Sequence, residues 1–182
     1  MPRLLRIGRG GGAAVTPKAT RCLTFALIQE GGYVHQPPDP ETYRGVSRSA
    51  FPHWVGWPEI DARKPIRRGV IFADLEPIVL EFYEAAIWDK HRLEERDEAL
   101  ALVMADYLTN SGAAAARLSR LPIGYGPMDV LRDRWRYLGD LALGFVNADP
   151  VKVAYWTSCL PGWAARIEAN LDAVRAIQAK GE

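Results

Sequence analysis

The sequence predicts an α+β fold that is predominantly helical and carries a small lobe of hairpin and loops. Segments with apolar residues at helical spacing occupy most of the chain from residue 74 onward. Residues 31–60 are instead rich in glycine, proline and aromatic residues, which is typical of loops and short strands. The length of 182 residues and the hydrophobic content of 48% suit one domain with a real core and a small appended part.

The helical pattern divides into six segments. The first is apolar at most positions, which predicts a buried central helix. The predicted helices cover residues 19–29, 74–91, 94–116, 130–146, 150–160 and 163–179. We expect Pro161-Gly162 to separate the last two, because proline lacks an amide proton and glycine is a poor helix former.

The stretch that follows the first helix contains the candidate catalytic residues. It reads Glu30-Gly31-Gly32-Tyr33, so a carboxylate stands where two glycines end the helix. A second carboxylate, Asp39, follows nine positions later in a proline-rich loop. Glycosidic bond cleavage uses such a pair: one protonated carboxyl group donates to the leaving oxygen, and one carboxylate stabilises or attacks the sugar cation.

Each of these residues also has a purely structural interpretation. Glu30 could be an exposed residue at a helix end, and Asp39 could form a turn within Pro-Asp-Pro. Glu41 is a rival for the second carboxylate. Thr42 could orient the attacking water, or it could merely suit a strand of the small hairpin predicted near residues 41–47.

Four further residues are candidates for substrate binding. Tyr33, Trp54 and Trp57 could stack on flat apolar sugar faces, or they could pack in a core. Asn110 lies one helical turn after Asp106 on a predicted helix, so both could face a cleft. We expect this pair mainly to satisfy buried hydrogen bonds around the first helix.

These motifs resemble the opening of glycoside hydrolase family 108, the phage-type N-acetylmuramidases. The matching elements are Glu30-Gly31-Gly32-Tyr33, Pro38-Asp39-Pro40, Glu41-Thr42, Gly45-Val46-Ser47 and the helical stretches 82–89 and 106–112. The resemblance implies a lysozyme-like fold and cleavage of the β-1,4 bond between N-acetylmuramic acid and N-acetylglucosamine, with Glu30 as catalytic acid. The family usually has a Gly-Gly pair between its Asp-Pro and its Glu-Thr. This sequence lacks it, so its hairpin is expected to be shorter.

The resemblance covers roughly residues 20–175 and implies three parts. A flexible basic arm is expected over residues 1–18 and a lysozyme-like catalytic core over residues 19–120. A C-terminal helical region, expected to pack on that core, follows over residues 121–182, where family members often carry a peptidoglycan-binding segment.

Composition and spacing argue against several other classes. A net charge of +1 disfavours a nucleic-acid binder, although the arginines and lysine that precede Glu30 could attract an anionic polymer such as a cell wall. His35, His53 and His91 lack metal-ligand spacing, so we expect neither a metal nor a cofactor. The sequence contains neither a phosphate loop nor a serine-hydrolase elbow.

The expected setting is the bacterial cell wall. No apolar run approaches the roughly 18 residues of a membrane span, and the N-terminus lacks the apolar core of a secretory signal. We therefore expect synthesis in the cytoplasm, no membrane insertion, and action on peptidoglycan glycan strands after delivery by a holin, a phage particle or a secretion channel. Two alternatives stay open: a non-catalytic wall-binding or phage-particle structural protein with this fold, and a lytic transglycosylase.

Overall fold

The computed structural model describes residues 15–35 and 40–180. Within these residues, helices dominate and one small antiparallel sheet accompanies them, which confirms the α+β, predominantly helical class. The chain forms two compact units that divide between Glu95 and Arg96. Most of the predicted basic arm lies outside the described residues.

The first unit combines short helices with the sheet. Its α-helices are α1 (Pro17–Ile28), α2 (Trp57–Asp61) and α3 (Glu76–Tyr83). Its strands are β1 (Tyr33–Val34), β2 (Thr42–Tyr43) and β3 (Val46–Ser47), paired antiparallel in that order. The predicted helix over residues 74–91 is less regular than expected: a 3-10 turn at Ala73–Leu75 precedes α3, and a π-helical stretch at Glu84–Asp89 follows it.

Helix α1 coincides with the predicted first helix, but only one of its faces is buried, and Ile28 on the other side is 67% exposed. The Thr16 side chain accepts a hydrogen bond from the Ala19 amide at 3.1 Å, and Pro17 occupies the first turn, where a missing amide proton costs nothing. Residues at helical spacing then bury one face: Ala19, Cys22, Leu23, Ala26 and Leu27. Glu30 therefore follows directly after a helix that is anchored in the core.

The sheet has one buried face and one half-buried face. Tyr43 pairs with Tyr33 and with Val46, and all three side chains are buried. The opposite face consists of Val34, Thr42 and Ser47, because directly paired residues share a face. On its buried side Tyr43 stacks near Trp54 and Phe72, with ring centroids 6.2 and 6.1 Å away.

The second unit is entirely helical within the described residues. Its helices are α4 (Glu98–Asn110), α5 (Ala114–Leu118), α6 (Pro127–Ala142) and α7 (Pro150–Gln178). The predicted helix over residues 94–116 is thus two helices, since the backbone becomes extended at Ser111. Helix α6 ends before the predicted residue 146, and Gly144 follows with a positive φ of 78° that closes helices in the usual way.

Helix α7 contradicts one prediction, since it runs unbroken through Pro161 and Gly162. A proline at this position removes the bond to the Thr157 carbonyl, one turn earlier. Both Thr157 and Pro161 are exposed, so water can satisfy that carbonyl. The C-terminal half of the helix is fixed in the core by Arg166, Asn170 and Val174, which are buried at four-residue spacing. Tertiary packing therefore overrides the local preference for a break.

Candidate active site

Glu30 is half-buried at the end of α1 and its backbone is fixed. Its amide donates to the Leu27 carbonyl at 3.0 Å, which continues the last helical turn. Its carboxylate lies beside the turn between β2 and β3. A Cβ atom placed on Gly45 would stand 3.0 Å from Glu30 Oε2 and 2.5 Å from the Tyr83 hydroxyl oxygen. The carboxylate, the glycine and the phenol therefore meet in one small space.

The two glycines after Glu30 have different physical roles. Gly31 has a φ of 63°, which favours glycine and reverses the chain at the end of α1. At Gly32 a Cβ would collide with the carbonyl oxygens of Gly69 and Val70. That segment is held against β1 by two backbone bonds: the Tyr33 amide donates to Val70 at 2.9 Å, and the Gly69 amide donates to Tyr33 at 2.7 Å. The motif thus sets both the turn and a close backbone approach.

Three residues near Glu30 were not identified as functional from the sequence. The Arg44 guanidinium bonds the backbone carbonyls of Leu27 and Gly31, and it pairs with the Glu76 carboxylate. The Tyr83 hydroxyl donates to the Arg44 carbonyl at 2.9 Å. No local pattern signals these contacts, because Arg44 and Glu76 are 32 positions apart.

Glu41, the rival second carboxylate, is buried and fully engaged. It pairs with Arg48 at 2.5 Å and with Lys64 at 2.8 Å, and it accepts a hydrogen bond from the Tyr33 hydroxyl at 2.8 Å. Burial works against its ionisation, but the hydrogen bonds from Lys64 and Tyr33 and the nearby Arg48 charge outweigh it and lower the Glu41 pKa below its ordinary value. Such a carboxylate is suited to holding the hairpin to its neighbours.

Thr42, the other predicted catalytic residue that the structure describes, lies on β2. Thr42 is half-buried, and its paired neighbours Val34 and Ser47 share its face of the sheet. Asp39 lies outside the described residues. In the sequence it falls between Val34 and Thr42, which pair with each other across β1 and β2.

The predicted aromatic sugar platforms are buried. Tyr33, Trp54 and Trp57 are 5%, 6% and 2% exposed. The two indoles contact edge to face with centroids 5.1 Å apart, and the Trp57 Nε1 donates to the Phe51 carbonyl at 2.7 Å. A ring that stacks on a sugar needs an open face, so this burial favours the packing alternative.

Asn110 belongs to the second unit, where it accepts a hydrogen bond from Arg134 at 3.0 Å. It is exposed and lines a cleft of about 360 Å³ together with Tyr137 and Trp163. Asp106, one turn earlier, is fully buried and accepts from Arg134, Arg166 and Asn170. Asp106 therefore satisfies buried hydrogen bonds as expected, but its partners lie on α6 and α7 and not around the first helix, where they were predicted.

The described residues show neither a group of metal ligands nor a membrane-spanning helix. Over residues 15–35 and 40–180, no three His, Cys, Asp or Glu side chains are grouped so that they could hold a metal ion. In the same part of the chain, none of the helices combines the length and the apolar character that crossing a bilayer requires.

Comparison with known proteins gives one match. A family model described as Glycosyl hydrolase 108 matches residues 23–112, which include the Glu30-Gly31-Gly32-Tyr33 motif and the hairpin. Comparisons with curated proteins and with solved structures find no match.

Proposed function

Because this chain belongs to glycoside hydrolase family 108, we propose that it is an N-acetylmuramidase. It hydrolyses the β-1,4 bond between N-acetylmuramic acid and N-acetylglucosamine in peptidoglycan glycan strands. Glu30 is the general acid. The observation that carries this proposal is the position of Glu30 within the matched segment: it is half-buried, held at the end of α1, and has its carboxylate against the hairpin turn.

The chemistry requires a proton donor at that position. Glycosidic cleavage passes through an oxocarbenium-like state, so a proton must reach the leaving oxygen as the bond lengthens. Water at neutral pH supplies too few protons, whereas a positioned carboxylic acid contributes about 10²–10⁴-fold. The backbone bond from Glu30 to Leu27 and the close approach of Gly45 supply the positioning.

Asp39 is the second carboxylate in this proposal, and Thr42 orients the water. Support comes from the engagement of Glu41 with Arg48 and Lys64, which occupies the nearest rival. The distance between the Glu30 and Asp39 carboxyl groups determines the stereochemistry: about 5–5.5 Å for retention, or about 6.5–9.5 Å for inversion.

The set of substrate contacts that we propose is smaller than the set of candidates that the sequence offered. We assign Tyr33, Trp54 and Trp57 to the hydrophobic core of the first unit, because their rings are buried. We retain Asn110 as a glycan contact, since it is exposed and its cleft includes the aromatic ring of Tyr137. Delivery to the wall by a phage particle, a holin or a secretion channel is part of the same proposal and rests on the family resemblance.

Substitution of the acid tests the proposal. Glu30→Gln keeps the shape of the side chain but removes the transferable proton. We expect the release of reducing sugar from purified sacculi to fall by about 10²–10³-fold. Glu81→Gln, an exposed glutamate on α3, is the matched control and keeps the wild-type rate. A Glu30→Gln rate close to the control would refute the assignment, and wild-type protein that binds sacculi without releasing sugar would favour the wall-binding alternative.

A further inference from the structure

The turn between β2 and β3 contains an unusual residue. Tyr43 pairs directly with Val46, so Arg44 and Gly45 form a two-residue loop, and both have positive φ angles of 49° and 76°. Such turns strongly favour Asn-Gly, because glycine lacks a Cβ and asparagine adopts φ > 0 more readily than other residues with a Cβ, such as arginine. An arginine at the first position therefore needs compensation from its side chain.

That compensation is a set of charged hydrogen bonds beneath the turn. The Arg44 side chain is 7% exposed. Its Nε and Nη2 donate to the two carboxylate oxygens of Glu76 at 3.0 and 2.9 Å. Its Nη1 donates to the carbonyl of Leu27 at 2.8 Å and to that of Gly31 at 3.2 Å. The two-pronged contact with Glu76 fixes the plane of the guanidinium, which a single bond would leave free to rotate.

The two carbonyls that Arg44 binds lie on either side of Glu30. Leu27 also accepts the Glu30 amide, and Gly31 is the residue at which the chain reverses. The last carbonyls of a helix lack partners within the helix and carry the negative end of its dipole, so a cation is favourable there. Arg44 thus fixes the backbone before and after Glu30.

The same turn also limits the side chain of Glu30. Gly45 leaves no room for a methyl group between itself, the Glu30 carboxylate and the Tyr83 hydroxyl. Tyr83 is held in place because it donates to the Arg44 carbonyl. Arg44 therefore binds the backbone on both sides of Glu30, and Gly45 lies beside the Glu30 carboxylate.

We propose that Arg44, held in plane by Glu76, is a positioning residue for Glu30. This inference rests on the proposed role of Glu30 as the general acid. Arg44 acts through the backbone of residues 27–31, and a misplacement of about 1 Å in a reacting group can cost about 10²-fold in rate. Its loss therefore lowers kcat and leaves glycan binding in place.

Two variants and one control test the inference. Arg44→Lys keeps the charge but loses the planar, two-pronged contact. Glu76→Gln removes the ion pair and leaves the bonds to the carbonyls. Arg63→Lys is the matched control: Arg63 makes an equivalent two-pronged contact with Asp74, but on an exposed surface and without contact to residues 27–31.

We expect kcat on soluble glycan fragments to fall about 10²-fold in Arg44→Lys and about 10-fold in Glu76→Gln, with KM within about twofold of wild type. Arg63→Lys keeps the wild-type kcat. Sacculus binding and the thermal melting transition of each variant are measured in parallel. In a Glu30→Gln background, Arg44→Lys produces no further loss of residual rate, because the group that it positions is already absent.

The inference is overturned if both variants keep kcat at the level of the Arg63→Lys control, or if KM rises while kcat does not change. If Arg44→Lys does not fold, Glu76→Gln decides by the same criteria. A Glu30→Gln protein that keeps its activity would instead contradict the proposed function itself. An inactive Glu30→Gln protein together with fully active Arg44→Lys and Glu76→Gln proteins would remove only the positioning role.

Discussion

At the scale of single residues, the candidate site is built on close approaches that an added methyl group would destroy. Gly45 has a φ of 76° and faces both the Tyr83 hydroxyl and the Glu30 carboxylate. Gly32 lies against the carbonyls of Gly69 and Val70. The glycines are therefore as much a part of the geometry around Glu30 as the polar groups are.

Gly45→Ala tests this close approach. The new methyl group would displace the Glu30 carboxylate or the Tyr83 hydroxyl, so activity is expected to fall at least about 10-fold. Stability is expected to drop by about 1–3 kcal/mol, measured by urea unfolding. Gly69→Ala is the control, because it has a positive φ of 84° but nothing within 4 Å of the new atom. Equal loss of activity in both variants would show that backbone strain alone is responsible.

Glu41 gives the fold a predictable dependence on pH. Its pKa in the folded protein is lowered from an ordinary value of 4.5, so its contribution to stability is present above that pH and is lost as the pH falls through the lowered value. Glu41→Gln is therefore expected to cost about 1–3 kcal/mol at pH 7.

The difference between Glu41→Gln and wild type is expected to shrink as the pH falls below 4.5, in urea unfolding at several pH values. Glu59→Gln, whose side chain is 55% exposed and lies 3.7 Å from Arg63, serves as the control with little effect at any pH. A Glu41→Gln deficit that stays constant from pH 7 to pH 3 would contradict the assigned ion pairs.

At the scale of elements, helix α7 shows where local rules yield to packing. Pro161 lies inside a helix of 29 residues, and only the half beyond it contributes buried residues to the core. Pro150 lies in the first turn of the same helix, where its missing amide proton costs nothing. The same residue type is therefore neutral at the start of this helix and unfavourable in its interior.

Pro161→Ala is expected to stabilise the protein. The substitution restores the bond to Thr157 and removes the ring clash, which together are worth up to about 3 kcal/mol in a helix interior. Thermal melting should show a higher midpoint for Pro161→Ala and no gain for Pro150→Ala. An unchanged or lower midpoint for Pro161→Ala would mean that the helix has already relaxed around the proline.

The elements that the sequence predicted are those with a local signal. The apolar spacing of α1 and the Gly-Gly pair after Glu30 predicted the helix, its end and the adjoining loop. Arg44 and Glu76 were missed because their contact joins a hairpin turn to a helix 32 positions away, and no periodicity encodes that distance. Trp54 and Trp57 were ambiguous for a related reason: composition cannot distinguish an aromatic core from an aromatic platform.

At the scale of the whole molecule, each compact unit is organised around buried charge. In the first unit, the pairs of Arg44 with Glu76 and of Glu41 with Lys64 fix the hairpin to its neighbours. In the second, the Asp106 carboxylate joins α4 to α6 and α7. Burial opposes the ionisation of Asp106, yet the Arg134 and Arg166 charges lower its pKa. Breaking such a buried pair costs about 3–5 kcal/mol.

The central claim for the molecule is that Glu30 donates a proton to a glycosidic oxygen and that water completes the cleavage. Mass spectrometry of muropeptides released from sacculi in ¹⁸O-labelled water tests both parts at once. We expect wild-type protein to release fragments that end in N-acetylmuramic acid with one ¹⁸O at the new reducing end, and Glu30→Gln to release almost none. Unlabelled anhydro ends, or equal release by Glu30→Gln, would contradict the account.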